Sequence, residues 1–218
     1  GSETFSIQSQ FNRVTGNVET DISKSIFEKL SDDNMTVSIP QIKGANSYTL
    51  SFTKEGLFSA KKDINITMDT QIGTIDIQGD EADKIQLTIQ AAKISDLSLD
   101  LQNELKNKPI IQLSLTVDGK QIAWNNPNTP VTISIPYTPT VEEMNDLEHI
   151  TVWYIDGDGN VVSVPNGRYN KDTSTVTFTT THFSQFALAY VIKTFDDLEG
   201  VAWAKKPIEV LASKGAIK

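Results

Sequence analysis

The stretch ITVWYIDGDGNVVSVPNGRYNKDTSTVTFTTTHFSQFALAY (Ile150–Tyr190) decides the fold class. Its runs ITVWYI, NVVSV, STVTFTT and FSQFALAY alternate apolar or aromatic residues with polar ones. Asp156-Gly157-Asp158-Gly159 and Pro165-Asn166-Gly167 punctuate them as turns. A two-residue period sends successive side chains to opposite faces of an extended chain, so each run reads as a half-buried strand. The pattern extends upstream through MTVSI (from Met35), SYTLSFT, INITM, GTIDI, KIQLTIQ, IIQLSLTV and VTISI. Turn residues at Lys43-Gly44-Ala45-Asn46, Asp118-Gly119 and Asn125-Asn126-Pro127 separate several of these runs. About a dozen short strands at this spacing predict a mainly β chain, an antiparallel β-sandwich over residues 35–192.

Helical spacing occurs at both ends. In the lead-in, residues 1–34, Ile22, Ile26, Phe27 and Leu30 predict a short amphipathic helix, with Thr20 or Asp21 as its N-cap. Beyond a junction at Lys193-Thr194, residues 193–218 place Trp203, Ile208, Leu211 and Ala212 on a helical period that stops at Gly215. Ser95–Pro109 and Thr140–Leu147 interrupt the strands and have room for a helical turn or two. The pentads TVSIP (Thr36–Pro40) and TISIP (Thr132–Pro136) read as strand ends closed by proline rather than as a repeat.

Composition removes several functions. The 218 residues carry a net charge of −9 with a pI near 4.7, unsuited to a polyanion, so nucleic acid is not an expected partner. Zero cysteines exclude disulfides, zinc–thiolate sites and a cysteine nucleophile, and two histidines, His149 and His182, exclude a histidine-rich metal site. No apolar run is long enough to cross a bilayer as a helix. Gly1-Ser2 reads as a cloning remnant, with the natural N-terminus expected upstream. A monomer with no cofactor and no metal is expected.

Asp156-Gly157-Asp158-Gly159-Asn160 begins like a calcium loop. The pattern then fails, with Val161 at the sixth position and Gly167 at the twelfth, and a hairpin turn accounts for the same residues. The pairs Asp196-Asp197 and Glu142-Glu143 read as solvated or helix-start charges. Trp124, Trp153 and Trp203 read as core anchors rather than a sugar platform.

His182 and Ser184 are the candidate chemistry. Period two puts Val176, Phe178, Thr180, His182, Ser184, Phe186, Leu188 and Tyr190 on one largely apolar, inward face. One reading is structural: a buried imidazole bonded to a neighbour and a serine that satisfies a bend. The other is self-directed. Ser184 Oγ would attack the Phe183 carbonyl carbon through a five-membered ring, with the neutral His182 imidazole taking the proton. Donors must hold the oxyanion and the amide must be distorted, a ~15° bond-angle deviation storing about 4 kcal/mol.

FDDLEGVAWAKKPIEVLASKGAI (Phe195–Ile217) resembles the first half of an S-layer homology (SLH) motif, matching at Phe195, Asp197, Trp203-Ala204, Ile208, Leu211-Ala212, Gly215 and Ile217. The resemblance covers about the last 24 residues and implies a secreted protein on the cell wall or S-layer of a Gram-positive-type bacterium. Complete SLH repeats, absent here, would take wall secondary polysaccharide as their partner. The region from Met35 to Ile192 resembles the β-rich modules that precede SLH repeats in clostridial and Paenibacillus-type surface proteins. HFSQFALAY (His182–Tyr190) is similar to the self-processing sites of GAIN domains, and to the His-Phe-Ser sites of a nucleoporin and a death-domain scaffold. That likeness implies His182 as base, Phe183 as acyl donor and Ser184 as nucleophile. It implies at most one turnover, leaving a backbone ester or a cleaved chain with its halves held together. The bland alternative is an inert stalk or a carbohydrate-binding spacer.

Overall fold

Strands make up most of the regular structure in the computed structural model, which describes residues 1–60, 63–78 and 84–217. The described backbone forms two units interleaved along the chain. The first comprises residues 1–91, 111–134 and 180–183, and the second residues 92–110, 135–179 and 184 onward.

The first unit is made by β1 (Glu3–Phe5), β2 (Ser9–Asn12), β3 (Asn17–Asp21), β4 (Asn34–Ser38), β5 (Ser47–Thr53), β6 (Asn65–Asp69), β7 (Thr74–Gln78) and β8 (Lys84–Ala91). Most of β9 (Ile110–Val117), with β10 (Lys120–Ile122) and the start of β11 (Val131–Pro136), completes it. One sheet runs β1-β4-β6-β7-β11 and the other β2-β3-β5-β8-β9-β10. The pairings are antiparallel except for β1–β4, β3–β5 and β4–β6, which are parallel. This mixed order departs from the antiparallel expectation, because an alternating strand records which face is buried but not the direction of its neighbour. The lead-in also joins the sheets, supplying β1, β2 and β3.

Alternation translates into burial as expected. Met35, Val37, Ile66, Met68, Ile75, Val131 and Ile133 are buried from one sheet, and Val18, Tyr48, Leu50, Leu87, Ile89 and Leu113 from the other. Gly73, just before β7, shows how closely these layers meet. A Cβ there would lie 2.8 Å from the Ser134 carbonyl oxygen and 3.2 Å from Ile89 Cδ1. The helix α1 (Lys24–Lys29) begins later than either expected cap, with Ser23 at its N-cap, and it buries Phe27 edge-on to Phe52. Thr53 ends β5 and caps α2 (Lys54–Ser59) by accepting from Gly56 N–H at 3.1 Å.

The second unit holds α3 (Leu99–Leu105), β12 (Ile150–Ile155), β13 (Val161–Val164), β14 (Arg168–Asn170), β15 (Thr175–Thr180), β16 (Gln185–Tyr190) and α4 (Ala202–Ser213). Antiparallel β13-β12-β16 form a sheet, and β14 pairs with β15. Leu101 and Leu105 of α3 pack with Ile110, Trp153, Ile155, Ala187 and Ala189. Trp153 is thus the core anchor expected of it, whereas Trp124 is half-buried.

Trp203 is not a core anchor: it is 85% exposed on α4. At about 3.6 residues per turn, the nine residues from Trp203 to buried Ala212 rotate the helix by two and a half turns. The two side chains therefore point in opposite directions. The buried side of α4 is latched by His149. Ser213 Oγ donates to Glu209 O at 2.7 Å, so it has no proton left for the imidazole 2.9 Å away. The His149 Nδ1–H must be the donor, shared between Ser213 Oγ and the Val191 carbonyl, also at 2.9 Å. Gly215 ends the helix with φ +71°, and the Ala216 N–H reaches back to Leu211 O at 2.9 Å.

Candidate functional site

The His-Phe-Ser segment starts where β15 ends. Thr180, buried, turns the chain with its own hydroxyl, donating to His182 O at 2.9 Å and accepting from His182 N–H at 3.3 Å. The next residues are laced to residues 124–126. Asn126 N–H donates to Thr181 O at 2.8 Å, His182 forms an antiparallel bridge with Asn125, and Phe183 N–H donates to Trp124 O at 3.2 Å. The Trp124 and Phe183 rings lie 4.7 Å apart at 33°. Trp124 is therefore half-buried against Phe183 rather than a core anchor.

His182 and Phe183 thereby belong to the first unit, and Ser184 to the second. The Ser184 hydroxyl donates to the Ile155 carbonyl at 3.5 Å, a long contact at the limit of hydrogen bonding. All three residues are partly exposed. Partial burial of His182 lowers its pKa below the ordinary imidazole value, so its basic, neutral form prevails at neutral pH. Among the described residues, the non-glycine positions with left-handed φ are Lys106, Asp118 and Ser174, outside the segment.

A second polar cluster centres on Glu143, which opens a 3-10 turn (Glu143–Asn145) as the helix-start alternative expected. Glu142 is exposed as expected, but Glu143 is 3% exposed and is not a solvated charge. Its Oε1 forms an ion pair with Lys108 Nζ, and its Oε2 accepts from Tyr137 OH at 2.6 Å and from Thr140 N–H at 3.0 Å. Thr140 Oγ1 returns the contact by accepting from Glu143 N–H at 3.2 Å, a reciprocal cap on this short turn. Burial works to raise the Glu143 pKa. The bonds from Lys108, Tyr137 and Thr140 outweigh it, and the carboxyl sits below its usual value. Burial, then Glu143 itself, pushes the Tyr137 hydroxyl up. An ionised carboxylate with every oxygen committed is a structural clamp, not a free base.

The Asp156 turn is closed by its own residues. Asp156 Oδ1 accepts from the N–H groups of Asp158 (2.9 Å) and Asn160 (2.8 Å), and Oδ2 from Asn160 Nδ2 (3.0 Å). Those bonds, Asn160's first, hold the carboxyl below its usual pKa. Asp156 thus serves the β12–β13 hairpin. Among the described residues, no three carboxylate or imidazole side chains converge as a metal site would require.

No protein-family model matches the chain, so the SLH and GAIN likenesses gain no support from that comparison. An amylopullulanase from Thermoanaerobacterium thermosulfurigenes is 32% identical over 108 residues. The match spans 50% of this chain but only 6% of that protein's length.

Proposed function

We propose that this chain is a non-catalytic β module carried on the bacterial cell surface as part of a larger, carbohydrate-acting protein. The observation that carries this reading is the proportion of the match: half of this chain corresponds to 6% of an enzyme named for amylose-type glucans and pullulan. A segment that small is an accessory part of such a protein. The SLH likeness of Phe195–Ile217 supports the surface location. The test is labelling of intact source cells with antibody to this chain, combined with a reducing-sugar assay of the isolated chain on pullulan and amylose. Surface labelling without sugar release is expected. Turnover of either glucan, or labelling that requires permeabilised cells, overturns the reading.

A second reading concerns Phe183–Ser184, and it rests on the neutral imidazole of His182 two residues before a serine hydroxyl at a chain bend. Ser184 Oγ adds to the Phe183 carbonyl carbon as His182 takes its proton. The C–N bond then breaks, and that proton passes to the departing nitrogen. The product is an ester between Phe183 and Ser184 Oγ with a free Ser184 amine, open to hydrolysis. Neutral hydroxylamine under denaturing conditions is then expected to cut the chain between Phe183 and Ser184, as read by intact mass. Ser184→Ala and His182→Ala each abolish the cut. A wild-type mass that hydroxylamine leaves unchanged assigns Ser184 to the bend alone.

A further inference from the structure

A cleft of about 630 Å³ opens within the second unit, walled by the 3-10 turns before β12, by β14 and the turn after it, and by α4. Its volume falls in the range of small-ligand pockets, roughly 300–1,000 Å³. The charge around it runs against the rest of the molecule. In a chain of net charge −9, the cleft is lined by Arg168, Lys171, Lys206 and Lys214, with Glu148 as its acidic residue.

The ion pairs decide which of these charges are available. Lys206 engages both nearby carboxylates, Asp146 at 3.3 Å and Glu148 at 3.1 Å. Lys214 Nζ is fixed in place by the carbonyls of Ile150 (2.8 Å) and Gly167 (2.7 Å), neutral acceptors, and makes no ion pair among the described residues. Arg168 and Lys171 make no ion pair among the described residues. Three cations thus line one cleft while the acidic residues beside them, Asp146 and Glu148, are already engaged by Lys206. Tyr169 lines the same space, with Val210 and Leu211 offering apolar surface for a ring.

We propose that this cleft binds an oxyanion, carboxylate or phosphate, carried on a ligand of monosaccharide size. Arg168 supplies the planar fork that matches either group in two parallel bonds, exposed Lys171 adds a second charge, and Lys214 adds one fixed by two carbonyls. The site is independent of the acyl shift and of the surface role. Burial, and then the charge of Arg168, lowers the Lys214 pKa to about 8 against a smaller opposing pull from Glu148, and a bound anion would raise it again.

The experiment is amide NMR titration of the full chain at low salt with glucose 6-phosphate, glucuronate, inorganic phosphate and, as the uncharged control, glucose. Saturable shifts clustered at residues 167–171 and 214 are expected with the sugar anions, and they should weaken as salt rises. The double variant Arg168→Ala/Lys171→Ala, both exposed and so expected to fold normally, loses about tenfold or more in affinity. Binding of inorganic phosphate as tight as that of the sugar anions retains the oxyanion site but overturns the sugar-sized ligand. Silence with every anion, equal binding of glucose, or an unaffected double variant overturns the proposal entirely.

Discussion

Glu143→Ala is expected to lower the unfolding free energy by about 3–5 kcal/mol, the usual cost of stripping one partner from a buried ion pair. The magnitude comes from what is left behind rather than from the pair's own attraction. Lys108, at 17% side-chain exposure, would lose its ion-pair partner, the Tyr137 hydroxyl would lose its acceptor, and the Thr140 N–H would lose its cap. Against a typical total of about 5–15 kcal/mol, that loss would be plain in a urea or guanidinium midpoint. Glu143→Gln should cost less, because an amide oxygen can still accept from Tyr137 or Thr140.

The same carboxyl gives a pH signature. Its folded pKa lies below its ordinary value of 4.5, so its contribution is fully present above that value and is lost as pH falls through the folded pKa. Glu143→Gln should therefore flatten the acid limb of the stability curve below pH 4.5, with little change in its slope near neutrality. A penalty for Glu143→Ala below about 1 kcal/mol, typical of exposed pairs, would mean that water reaches the cluster.

Glu143 stands in TVEEMNDL, where polar neighbours suggest solvent, and its ion-pair partner Lys108 is 35 positions away. Its charge and neighbours match those of exposed Glu142. Its one sequence trace is Thr140-x-x-Glu143, a capping-box spacing that accounts for the Thr140 contacts but not for Lys108. Strand existence was legible because burial of one face imposes a period of two on every run. Strand direction was not, and the three parallel pairings of β1, β3, β4, β5 and β6 show it. The stop of α4 was legible at Gly215, since left-handed backbone selects glycine. The exposure of Trp203 required the helical rotation to be followed residue by residue. At the candidate site, residue types and the bend were legible in HFSQFALAY. Their lacing to residues 124–126 was not, because those contacts span more than 50 positions.

Phe186→Ala is the other large effect expected, again about 3–5 kcal/mol, as for other fully buried aromatics truncated to alanine. Phe186 has no exposed surface, packs against Phe178 with ring centroids 5.0 Å apart, and lies 6.0 Å from the Tyr154 ring. On the ladder it sits opposite Tyr154, so truncation removes both a cross-strand pair and a core ring. Phe186→Leu fills part of the space and should cost markedly less, which separates lost volume from a general intolerance of change at β16. The consequence reaches the candidate site two residues upstream. Ser184 is held by a long bond to Ile155 O, and Gln185 at the start of β16 pairs with Ile155 as well. Loosening β16 in the Phe186→Ala variant should raise amide exchange at Gln185 and position 186 well beyond that at the far end of the strand. If the acyl shift operates, hydroxylamine-sensitive product should fall in the same variant, because a slack strand cannot hold the amide against the attacking hydroxyl. Exchange that rises evenly along β16 would instead mean the strand opens as one unit, and Ser184 would owe its position to the whole ladder rather than to the phenylalanine beneath it.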